Sequence, residues 1–214
     1  MLFRSHGDTG FGDTITATFV VTGSTATPTP LPGPGGRGFG ITSGNSVTMT
    51  WSPGTEQIGY LVVRISGGRA TILPPSGTLP TSATSFTDTA ALSEVTCYVL
   101  AVFGPAGSTF ISDVLCLFPN TRVGSFPRNV TIRLNQSSTA SFTWDPPASG
   151  GQTKYVLTPL GGSPITLPGS ASSASHTMAA TAAVTCYTLA AATDTATLGT
   201  ADILCGIPGI TTLR

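Results

Sequence analysis

Charge is what this sequence has least of. Only 8% of its 214 residues are charged, the formal net charge is zero, and Lys154 is the single lysine. No basic stripe exists to neutralise phosphates, so nucleic acid is not an expected partner. Long apolar runs are also missing. Stretches such as Val99 to Phe103 fall far below the roughly 18 residues that suggest a membrane span, and no membrane insertion is expected. Amphipathic helical periodicity is absent, while the excess of Thr, Ser, Gly and Pro favours short strands joined by turns. Disorder would need low hydrophobicity with high net charge, and an apolar share of 40% at zero net charge is neither. The opening MLFRSHGDTG has no apolar signal-peptide core, so an exported chain is expected to have lost one already or to continue upstream. Having few charges of either sign leaves little repulsion between copies, which suits assembly.

Constellations that carry chemistry are missing too. His6 and His176 have no serine or acid at motif spacing, and the chain is read as not an enzyme. Acidic residues are scattered singly and form no D-x-[DN]-x-[DN]-G loop, so neither a metal nor a cofactor is expected.

What is present is a repeat. VTCYVLAVFGPAGSTFISDVLC, Val95 to Cys116, and VTCYTLAAATDTATLGTADILC, Val184 to Cys205, are equal in length and share their ends. Upstream, SVTMTWSP around Trp51 parallels ASFTWDPP around Trp144, and each Trp precedes a strand led by Tyr60 or Tyr155. The offset is 93 residues between tryptophans and 89 between cysteines, which makes two copies of one module of about 85 to 95 residues. Within each copy seven short strands come about every ten residues, the pattern of an antiparallel two-sheet sandwich. The expected fold is all-β: an N-terminal strand and tether over 1–36, sandwiches over 37–118 and 119–209, and a tail over 210–214. Trp51 and Trp144 follow alternating apolar residues and read as core. His176 stands where Phe86 stands in the first copy, a core or sheet-face position, and Asp113 where Asp202 stands, the latter pair read as charges protecting an edge strand.

SVTMTWSPGTEQIGYLVVRISGG resembles the strand B, loop and strand C region of fibronectin type III domains, and CYVLAVFGPAGS is similar to that family's F strand and F–G turn. The resemblance implies two immunoglobulin-like seven-stranded sandwiches, a fold that serves as spacer, adhesin and binding module alike. The cysteines depart from that family's usual pattern.

Four cysteines allow three pairings. A hairpin turning at Pro105 to Ser108 sets Cys97 opposite Cys116, and the same arithmetic sets Cys186 opposite Cys205. Two such disulfides contribute about 3 kcal/mol each in the chain-entropy model. They imply an oxidising location, extracellular or at the cell surface. A spacing of 19 with distant histidines does not fit a zinc site. Asn129 and Asn135 open sequons, which makes them candidate glycosylation sites and glycan a candidate decoration.

Ahead of both copies, Ile15, Ala17, Phe19 and Val21 form one apolar face of a strand, tethered by the proline-rich residues 24–36. Such a tether spans roughly 40 Å. The glycine-broken GRGFGIT of the first copy reads as a weak edge that could accept this strand, in the logic of donor-strand pili. The leading reading is therefore a subunit of an extracellular filament or surface fibre. It assembles head-to-tail with copies of itself, and deleting residues 1–23 stops that assembly. The alternative is a tandem adhesin, binding or spacer module of a larger secreted protein. Non-reducing peptide mapping is expected to recover Cys97 with Cys116 and Cys186 with Cys205. A Cys97–Cys186 peptide, or four free thiols, would refute the hairpin arithmetic.

Overall fold

Period-two alternation sets the strands, as β2 (Val47–Thr50) shows: Val47 and Met49 are buried, and Thr48 and Thr50 are not. The computed structural model describes residues 39–53, 57–90, 92–104, 109–119, 121–134, 139–178 and 184–207, and among these it contains strands and no helix. The first copy runs β1 (Phe39–Thr42), β2, β3 (Gly59–Ser66), β4 (Arg69–Leu73), β5 (Ser85–Asp88), β6 (Thr96–Phe103), β7 (Thr109–Ile111) and β8 (Val114–Phe118). A short β9 (Val123–Gly124) follows. The second copy runs β10 (Arg128–Leu134), β11 (Thr139–Asp145), β12 (Lys154–Pro159), β13 (Ile165–Pro168), β14 (Ser173–Thr177), β15 (Thr185–Ala192), β16 (Thr197–Thr200) and β17 (Ile203–Ile207). The last strand of each copy is thus two strands, β7 with β8 and β16 with β17.

The break has one cause in both copies. Tyr98 stands opposite Leu115 while Ala101 stands opposite Ile111, so the returning chain holds one extra residue. Tyr187 opposite Leu204 and Ala190 opposite Thr200 repeat the shift. A β-bulge of this kind re-aims the side chains beside it. Here it lies at Ser112–Asp113 and at Ala201–Asp202.

The two copies share both of their sheets. One runs β14-β11-β10-β1-β2-β5, and the other is built along β13-β12-β15-β17-β8-β6-β3-β4. The first strands of the copies pair with each other, Ile41 opposite Ile132. So do the last, Cys116 opposite Cys205. Ile41 faces Met49 and Ile132 faces Phe142, each two residues before a tryptophan, so the facing residues are equivalents and a local twofold runs through both seams. Between the layers one core joins both copies, with Trp51 against Tyr60 at 5.4 Å and Trp144 against Tyr155 at 5.3 Å. Both tryptophans are buried, as their place in the strands predicts.

The outer faces differ in kind. Across the smaller sheet, Thr87, Thr48, Thr42, Thr131, Thr143 and Ser173 stand in register on six neighbouring strands. Thr42 and Thr131 share a hydrogen bond of 2.7 Å across the seam. Across the larger sheet, the outward residues of β4, β3, β6, β8, β17 and β15 are apolar except Thr188, and the flanking β16 adds Thr200 opposite Ala190.

At the seam, bulk is traded between layers. Leu134 of β10 lies over Gly206 of β17, where an added Cβ would sit 2.8 Å from Leu134 Cδ1. In the first copy the positions are reversed in size, with Ser43 and Leu117 at the equivalent places. Gly206→Ala is expected to destabilise the chain by about 1–3 kcal/mol through overpacking. Leu134→Ala in the same chain should cost less than its own single-variant loss, which denaturant titration of the four-member cycle measures.

Candidate functional site at the inter-copy seam

The seam gathers the sequence's notable residues. The structure bonds Cys97 to Cys116 at 2.07 Å and Cys186 to Cys205 at 2.04 Å, each with Cα atoms 4.0 Å apart. Register then lines up all four cysteines across four strands, in the order Cys97, Cys116, Cys205, Cys186. Narrow and wide pairs alternate across an antiparallel strand. The bonded pairs are the narrow ones, so Cys116 and Cys205 form a wide pair, which favours bonding within a copy over bonding between copies. Cys116 and Cys205 are 5% and 0% exposed, enclosed by their neighbours on the outer face of the sheet.

A clasp closes one end of the seam. Arg122, in the connection between the copies, donates from Nε to Asp202 Oδ2 at 2.8 Å and from its second terminal nitrogen to the carbonyl of Gly44. It thereby ties the bulge of the second copy to the β1–β2 turn of the first. Its guanidinium also lies 5.7 Å over the Phe126 ring. Thr121 caps the same bulge by accepting a hydrogen bond from the Ile203 N–H at 2.9 Å. Beside the clasp is an open cleft of 440 Å³, lined in part by Gly44, Asn45, Leu92, Pro119, Arg122 and Asp202.

Asp113 and Asp202 therefore do not protect an edge. Asp202 is 3% exposed and Asp113 is 9%, because the bulge turns both inward and because β8 and β17 cover each other. The acceptor expected at GRGFGIT is likewise occupied: β1 has β2 on one side and β10 on the other. Its Gly40 permits close approach, since a Cβ there would stand 3.1 Å from the Ile132 carbonyl oxygen. The glycine that reads as weakness is the site of contact.

Other polar groups bond within each copy at the margins of the shared core. Tyr98 donates to Asp88 Oδ2 at 3.0 Å, and Asp88 pairs with Arg64 at 3.0 Å. In the second copy Tyr187 meets His176 Nδ1 at 3.0 Å. His176 stands opposite Ala140 as Asp88 stands opposite Val47, so its equivalent is Asp88 and not Phe86. Connections of unequal length hide that alignment in the sequence. The position of Arg64 is taken in the second copy by Pro159.

Asn129 is exposed with φ of 49°, a conformation Asn tolerates, and its amide donates to Asp145 Oδ2 at 2.7 Å. Asn135 and the strand-donor residues Ile15, Ala17, Phe19 and Val21 lie outside the described residues. Among the described residues no group of three or more His, Cys, Asp and Glu is placed to hold a metal ion.

No family model matches this chain, and no curated protein does. Among solved structures, a two fibronectin type III domain segment from chicken tenascin aligns at 16% identity over 78% of this chain and 97% of that one, with a TM-score of 0.32. The chicken CNTN1 FN1–FN3 domains align at 13% identity over 80% of this chain and 61% of that one, also with a TM-score of 0.32. The all-β sandwich architecture rests on the strand order itself.

Arg122→Ala leaves the buried Asp202 carboxylate without its cation. With Arg122 29% exposed, the expected loss is about 2 kcal/mol, less than for a fully buried pair, and Arg122→Lys should restore only part of it. Chemical denaturation reads the effect. Burial pushes the Tyr187 phenol up to about 12, and burial, then the Asp88 charge and hydrogen bond, push Tyr98 up as well. A phenol raised on folding contributes stability that is complete below its unfolded value and is lost as pH rises through the folded one. The unfolding midpoint should hold to about pH 10 and then fall, tracked by tyrosinate absorbance.

Proposed function

We propose that the chain is a non-catalytic double-sandwich unit of a secreted or cell-surface protein, acting as a rigid spacer. The observation that supports this reading is the seam: two strand pairings, one in each layer, with a clasp from Arg122 and one core beneath. Beads joined by a linker bend at the linker, whereas shared sheets resist bending in both layers. Two disulfides agree with an oxidising location. The segments Gly54 to Gly59 and Ala148 to Gln152 carry Gly and polar residues without clustered aromatics, which favours a spacer over a glycan-binding adhesin.

Cooperativity tests it. With disulfides intact, calorimetry of the full chain should show one transition whose calorimetric and van't Hoff enthalpies agree. Two transitions, one per copy, would mean that the seam does not couple the sandwiches, and the rigid-spacer reading would fall.

A further inference from the structure

An antiparallel sheet in a two-layer protein has one face on the core and one in water, and its residues alternate accordingly. The smaller sheet obeys, with hydroxyls outside. The larger does not: its inner face carries Tyr98, Leu100 and Leu115, and its outer face carries Val63, Ile65, Val99, Phe118, Ile203 and Ile207. These six are partly exposed apart from Val99, which is 8% exposed, and Ile72 beside Val63 on β4 is 43% exposed. The first charge met on that face is Lys154, at the far side on β12. A sheet apolar on both faces is built to be covered on both.

We infer that this outer face is covered by the same face of a second copy of the chain, giving an isologous dimer in which two large sheets pack against each other. Six strands about 4.8 Å apart and about six residues at 3.3 Å make a patch of about 29 by 20 Å, or about 600 Å². That is at the upper end of what monomers expose, and side-chain relief brings it toward the roughly 800 Å² per partner of a standard interface. A single added strand would cover about 4.8 Å of that width, far too little to dry the face alone. A charged partner would find nothing to pair with. An identical uncharged face fits both the area and the chemistry, with sheets about 10 Å apart and side chains interdigitated.

Sedimentation equilibrium of the full, oxidised chain should show a dimer in the micromolar range. Val63→Glu and Ile203→Glu should each weaken it by about a hundredfold or more, because the carboxylate is buried without a partner. Thr48→Glu on the hydroxyl face should leave it unchanged. Should either face variant fail to fold by circular dichroism, hydroxyl-radical footprinting of the unaltered chain replaces it, with Phe118 expected to gain protection as concentration rises. A wild-type monomer across that range overturns the inference. So does a folded Val63→Glu chain that still dimerises, a Phe118 whose protection ignores concentration, or a dimer abolished by deleting residues 1–38.

Discussion

Backbone groups at a sheet edge must find partners, and that requirement shapes this molecule. Two separate sandwiches, each of two sheets with two edges, would present eight edges. Pairing β1 with β10 and β8 with β17 leaves four ends to the two main strand orders among the described residues: β4, β5, β13 and β14. Unpaired strand edges invite addition by other chains, and the fold removes half of them by turning one copy against the other. Arg122, Thr121 and the Leu134–Gly206 contact then hold the two copies in register.

The same joining makes the molecule two-sided. Side by side, the copies present one broad hydroxyl face and one broad apolar face instead of two small patches of each. Width matters physically, since an apolar strip two strands wide is common on monomers while one six strands wide calls for a partner. The disulfide row lies in the middle of that apolar face, where sulfur adds bulk without adding charge.

Local features were legible in the sequence. The repeat, the strands and the opposition of Cys97 with Cys116 follow from alternation and turn residues, which act over a few neighbours. Features depending on strand-to-strand pairing were not. In the sequence His176 falls at the place of Phe86, and only cross-strand register identifies Asp88 as its equivalent. Asp113 and Asp202 looked like edge guards because nothing in a linear sequence marks a bulge or says that two last strands will face each other. Gly40 looked like a flaw for the same reason.

The sequence alone determined an all-β chain of two like copies, with cores built on Trp51 and Trp144 and with cysteines facing each other in hairpins. Its alternating side chains and turn formers permit little else. Only the tertiary structure decided that the copies share sheets, that Asp202 is buried in a clasp, and which outer face is apolar. Strand pairing across the seam consists of backbone hydrogen bonds, which every residue can make, proline as acceptor only, and which no side chain announces.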